Sequence, residues 1–174
     1  VEVVVRISPR SVALILVGLL SGSVQAQAPA AQDDAARVEE LLSATKYSAK
    51  RLEGSKQPVW TIKRKAENLK EFEVILTVKN GLLTTFITVA LKDNIRRSPE
   101  LCDKMVKFNY AWDSVKVGFD GDEDAYVRMD SRLRIVDTQE FTQVIEQVSN
   151  TAEALHKELQ PYLIKPPSSD PVRR

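Results

Sequence analysis

Residues 71–91 read EFEVILTVKNGLLTTFITVAL, and this stretch decides the fold. Two β-rich runs, Glu71–Val78 and Leu82–Leu91, flank Lys79-Asn80-Gly81. Asn-Gly supplies both positive-φ residues that a type I′ turn demands, and no short-range hairpin signal is stronger. With Asn80 and Gly81 as the loop, Val78 faces Leu83, Val74 faces Ile87 and Phe72 faces Val89. These side chains share one sheet face with Leu76, which makes that face the core side. The other face sets Ile75 against Phe86, bracketed by Glu73/Thr88 and Thr77/Thr84. It is amphipathic rather than polar, so cover from another element or a second chain is expected.

Upstream, Val59–Lys65 reads as a strand and Ala66–Lys70 as a polar connection. Tyr47–Glu53 is strand-like and ends in the turn Gly54-Ser-Lys-Gln-Pro58. Before it, Val38, Leu41, Leu42 and Thr45 recur at helical spacing, with Asp33 or Asp34 as the cap. Downstream, Ser98 and Pro99 open a helix carrying Leu101, Met105 and Phe108 on one side, and Asn109–Ser114 read as a loop. A second hairpin follows. Its dry face holds Val115, Val117, Phe119, Val127, Met129, Leu133 and Ile135; its wet face holds Tyr126, Arg128, Asp130, Arg132 and Arg134, and the acidic loop Asp120–Asp124 joins the strands. Asp137-x-x-Glu140 resembles a capping box, and Phe141, Val144, Ile145, Val148, Ala152, Leu155 and Leu159 repeat at helical spacing up to Pro161. The expected class is α+β: an antiparallel sheet of about five strands with flanking helices, in the order α-β-β-β-α-β-β-α.

The first residues carry a different signal. Arg6 and Arg10 precede a nine-residue apolar run, Val12–Leu20. A span of the bilayer needs about 20 such residues, whereas a signal-peptide core needs about 7–15. Small residues follow, with Val24 and Ala26 in the −3 and −1 positions for cleavage; cleavage after Ala28 fits nearly as well. Residues 1–26 are therefore expected to be a secretory signal peptide, 27–34 a linker, 35–163 the folded domain and 164–174 a disordered Pro/Ser-rich tail. That reading puts the protein in the periplasm or outside the cell, with no stable membrane anchor once the leader is cut.

Composition is ordinary for a globular chain, with 43% hydrophobic and 28% charged residues. Lys and Arg number 25, Asp and Glu 24. Residues 1–26 carry Arg6, Arg10 and Glu2, so the remainder balances. A chain without net charge has no global electrostatic reason to bind nucleic acid. Cys102 is the only cysteine, which excludes an intrachain disulfide and a cysteine metal cluster. Its neighbours Leu101, Met105 and Val106 mark it as a small apolar packing group.

The element order, together with Phe86-Ile-Thr-Val-Ala-Leu91, the helix from Leu101 to Asn109, Lys116-Val-Gly-Phe119, Tyr126-Val-Arg128 and the helix holding Phe141, Ile145 and Val148, resembles the YbjN family over roughly residues 35–163. Members of that family look like type III secretion chaperones in fold and have been linked to sensing or regulation. The resemblance implies an α+β domain that dimerises and binds protein partners. Export departs from it, because secretion chaperones act in the cytoplasm.

Chemistry-bearing patterns are sparse. His156 is the only histidine and sits beside an apolar helical stripe; no HExxH, GxSxG or Cys–His arrangement accompanies it. Asp120, Asp122 and Asp124 match the first, third and fifth ligands of an EF-hand, but the sixth position is Ala125 instead of Gly and the twelfth is Ser131 instead of Glu. A solvated hairpin turn accounts for them better. Glu71 and Glu73 share a strand face without a substrate-positioning partner. No catalytic residue, metal or cofactor is expected. The partner-binding residues are read as Ile75 and Phe86 on the sheet, with Tyr110 and Trp112 at a helix exit. Lys116, Arg128, Arg132 and Arg134 form a second candidate, an anion-binding face. The expected function is a non-enzymatic binding or regulatory module for a polypeptide, acting as a homodimer; the alternatives are an envelope sensor using the arginine face, or a carboxylate-dependent hydrolase.

Overall fold

A computed structural model describes residues 30–164 of the 174-residue chain. The leader reading and nearly all of the tail reading fall outside that range. Nine elements follow in order: α1 (Ala30–Ser43), β1 (Ala49–Arg51), β2 (Val59–Lys65), β3 (Glu71–Lys79), β4 (Leu82–Ala90), α2 (Pro99–Ala111), β5 (Lys116–Phe119), β6 (Ala125–Arg132) and α3 (Thr138–Leu159). The strands form one antiparallel sheet in the order β1-β2-β3-β4-β6-β5. The sheet has six strands, one more than the expected order allows, because the three-residue β1 pairs with β2 through Ala49↔Ile62 to Arg51↔Trp60.

The hairpin is built as its turn requires. Asn80 and Gly81 have φ of 53° and 71°, and Ile75↔Phe86, Thr77↔Thr84 and Val78↔Leu83 are in register. Phe72, Val74, Leu76, Val78, Leu83, Ile87 and Val89 are all buried. The α3 residues Phe141, Val144, Ile145, Val148, Ala152, Leu155 and Leu159 meet them, and Val38, Leu41 and Leu42 of α1 and Leu101 and Met105 of α2 complete one core. Ser98 caps α2 by accepting from the Leu101 amide, with Pro99 in its first turn. Asp137 caps α3 by accepting from the Glu140 amide.

Several local expectations are corrected. α1 begins at Ala30, so Asp34 lies inside it and caps nothing there; its carboxylate instead accepts from the Gly81 amide at 2.7 Å. α2 runs on to Ala111, because the Asn109 side chain both donates to and accepts from the Val117 backbone, stitching helix to strand. β6 ends at Arg132, and residues Leu133–Ile135 form a 3₁₀ turn. That turn removes Arg134 from the wet strand face and leaves Ile135, assigned to the dry one, 70% exposed. Cys102 is half-buried rather than packed away.

A polar clamp joins the β2 side of the sheet to α3. The Tyr47 hydroxyl donates to Glu146 Oε1 at 2.5 Å, and Arg64 Nη2 donates to Glu146 Oε2 at 2.9 Å. The Arg64 guanidinium also lies 5.5 Å from the Tyr47 ring. Hydrogen bonds from Arg64 and Tyr47 hold the Glu146 carboxyl below its usual range against the cost of burial. Burial, reinforced by the adjacent carboxylate, pushes the Tyr47 hydroxyl up to about 12. The folded carboxyl therefore titrates below its unfolded counterpart, so its contribution is complete above the unfolded value near 4.5 and fades as pH falls through the lower folded one. The tyrosine contribution is complete below 10.0 and fades as pH rises toward about 12. Replacing Glu146→Gln is expected to lower unfolding free energy by about 1 kcal/mol at pH 7. Urea titrations of both proteins should show that gap closing in acid, below about pH 4.5; a gap that stays constant down to about pH 3 would contradict the clamp.

Candidate functional site

All three helices pack into the single core on one side of the sheet. No helix among the described residues covers the outer face, and strand register places its residues in rows. One row crosses all six strands through directly paired positions: Lys50, Thr61, Ile75, Phe86, Arg128 and Lys116. Beside it run Val59, Thr77, Thr84 and Asp130. The two sets of residues that sequence reasoning kept apart, Ile75 with Phe86 and Lys116 with Arg128, are thus neighbours in one row.

Over this face lies a shallow groove of about 970 Å³. Thr77, Thr84, Phe86 and Tyr126 line its floor, and Ile75 sits beside Phe86 at its margin. One end is formed by the hairpin turn with Lys79, Leu82 and Arg132, and the other by Asp120 and Gly121. Thr77 and Thr84 satisfy their hydroxyls within the fold, donating to the Pro58 carbonyl at 3.0 Å and to Asp130 Oδ1 at 2.8 Å. Phe86, Ile75 and Tyr126 are left half-buried, with no helix above them among the described residues.

The four basic residues divide into two pairs. Arg128 Nε donates to Asp130 Oδ1 at 2.9 Å, and Lys116 Nζ lies 3.6 Å from Oδ2 of the same carboxylate. Burial works against ionisation of Asp130, but the hydrogen bonds from Arg128 and Thr84 and the Lys116 charge outweigh it and hold its carboxyl below the usual range. Arg132 and Arg134 form no ion pair among the described residues. They line a second cleft of about 360 Å³ with Arg37, Asp34 and the Asn80–Gly81 turn. Arg37 is already engaged there, with Glu40 at 2.6 Å and the Val136 carbonyl at 3.1 Å. Sequence reasoning missed Asp34 and Arg37, which stand about a hundred residues from Arg132 with no local motif to announce them.

The remaining candidates lie elsewhere. Tyr110, 94% exposed, is on α2, and Trp112 caps its exit, stacked on Phe108 with centroids 5.7 Å apart. Neither lines the groove. His156 is half-buried on α3, on the helical side. Glu71 and Glu73 are exposed and paired across strands with Lys65 and Lys63. In the Asp120–Asp124 loop, Asp120 Oδ1 accepts from the Asp122 and Asp124 amides, and Asp124 Oδ1 accepts from the Lys92 amide. These carboxylates close a turn and tie it to the chain after β4.

Comparison with known proteins agrees with this architecture. No curated protein matches. A chain of the ExsC–ExsE complex is similar at 13% identity and a TM-score of 0.54, covering 74% of this chain and 95% of that one. YbjN from E. coli, described as a "putative transcription regulator", is similar at 12% identity and a TM-score of 0.52, covering 76% and 96%. At such identities the likeness shows a shared fold alone. The family model for YbjN, described as "putative bacterial sensory transduction regulator", matches residues 34–161. This chain belongs to the YbjN family.

Proposed function

We propose that the protein is an exported, non-enzymatic module that recognises a polypeptide on its open sheet face. One observation carries the reading: a six-stranded sheet whose helices, among the described residues, lie on one side, and whose other side offers Phe86, Ile75 and Tyr126 among threonines and a basic rim. Half-buried aromatic and aliphatic anchors inside a polar border are what protein interfaces use. The ExsC–ExsE complex, a pair of proteins, lends fold-level analogy and no more. Catalysis has little support. The strand carboxylates face lysines, and the one histidine stands in the helical layer.

The second copy of a homodimer belongs on α2 rather than on the sheet. Val106 is 68% exposed there, one turn from Tyr110 and from Cys102, while Asp103 and Lys107 pair at 2.6 Å beside them. An apolar stripe flanked by opposite charges can meet its own antiparallel copy with each charge facing its opposite. Export rests on the leader-like pattern of residues 1–28; among the described residues no helix is long and apolar enough to cross a membrane.

Each part has its own measurement. Crosslinking capture with the purified protein should recover a partner from envelope extracts, and Phe86→Asp, if its melting temperature is unchanged, should reduce recovery at least about tenfold. Undiminished recovery would remove the sheet face from the reading. Light scattering should give a dimer mass that Val106→Glu returns to the monomer; a dimer unaffected by that change would exclude the α2 contact. Residues 1–28 fused to alkaline phosphatase should give activity outside the cytoplasm, and an inactive, intact fusion would refute export.

A further inference from the structure

The groove and the arginine cleft adjoin at the hairpin turn, where Asn80, Gly81 and Arg132 line both. Charge along the two is graded. At the hairpin end Lys79, Arg132 and Arg134, without an ion pair among the described residues, outnumber the one carboxylate lining the cleft, Asp34, which accepts from the Gly81 amide. In the middle, Arg128 and Lys116 share the single carboxylate of Asp130. At the far end Asp120 borders the groove. From Leu82 to Thr88, seven residues of β4, the floor is about 20 Å long, room for an extended segment of similar length.

We propose that the polypeptide recognised on this face is an acidic segment, laid with its carboxylates in the Arg132–Arg134 cleft and an apolar side chain over Phe86. The proposal rests on the reading above that the sheet face is a protein-binding surface. Charge selects the occupant. The chain's own flanking segments are poor candidates: residues 165–174 carry Lys165, Arg173 and Arg174 against Asp170, and residues 1–29 carry Arg6 and Arg10 against Glu2. A second copy set antiparallel would offer Lys79, Arg132 and Arg134 a single groove-lining carboxylate, Asp120. A nucleic acid is uniformly anionic and would meet Asp120 and Asp130 along the same path. A peptide can place carboxylates at one end only. Arginine also suits the task, since its planar fork binds carboxylates bidentately.

The test uses the purified protein and a fluorescein-labelled random copolymer of glutamate and tyrosine, read by anisotropy. Polyglutamate, polylysine and a single-stranded oligonucleotide are compared with it. The copolymer should bind most tightly and polylysine not at all. The double change Arg132→Glu, Arg134→Glu should weaken copolymer binding by about tenfold or more, while Lys157→Glu, an equal charge reversal at an exposed position of α3 on the other side of the sheet, should change it less than about threefold. Arg132→Gln with Arg134→Gln repeats the test with a smaller perturbation and an expected loss of about threefold. Binding unchanged by both double variants, equal binding of polylysine, or tighter binding of the oligonucleotide would each overturn the proposal. If partner capture depends on Phe86 but not on Arg132 and Arg134, the acidic specificity fails while the protein-binding reading stands. Capture indifferent to Phe86 removes that reading and this proposal together.

Discussion

Gly81 ties three parts of the chain at one residue. Its amide donates to Asp34 in the first helix, and its carbonyl accepts from Leu133 just beyond the sixth strand, at 2.7 and 2.9 Å. Between these contacts its φ of 71°, with 53° at Asn80, turns the chain back on itself in the sense that matches strand twist. A Cβ at Gly81 would meet nothing within 4 Å, so backbone conformation rather than space favours glycine there. The register that follows decides which face each hairpin side chain occupies. A slip of one residue would bury Phe86 and Ile75 and expose Val74 and Leu83.

From that register comes the division of labour between the two sheet faces. One is closed by three helices and holds nearly every large aliphatic side chain. The other keeps only enough apolar surface to be attractive and enough threonine to remain hydrated. Thr77, Thr84 and Asp130 are satisfied within the fold, so these groups of the open face have partners when nothing covers them. Charge completes the asymmetry. A chain nearly neutral as a whole gathers Arg132 and Arg134, without an ion pair among the described residues, at the hairpin end of the groove, where a local field can act although the net field cannot.

Both helix caps, the Asn-Gly hairpin and the α3 stripe could be read directly from residues 71–91, 98–101 and 137–159, because each depends on neighbours within a few positions. Where local signals competed with distant ones they failed. Alternation predicted a strand through Ile135, yet the chain turns after Arg132 and buries Leu133 and Val136 as a 3₁₀ corner leading into α3. Asp34 looked like a helix cap and serves as a long-range acceptor for a turn amide. Asn109 looked like a loop residue and is the helix's tie to β5.

The amino-acid order alone therefore determined the fold class, the hairpin register and the amphipathic faces, all consequences of side-chain periodicity and turn chemistry acting over short range. Only the tertiary structure decided that Ile75, Phe86, Arg128 and Lys116 form a single row, that two of the four cations share Asp130, and that Arg37 and Asp34 join the other two. Those outcomes depend on which strands become neighbours and on how ion pairs share one carboxylate. Such choices are made by packing between segments far apart in the chain, and periodicity carries no record of them.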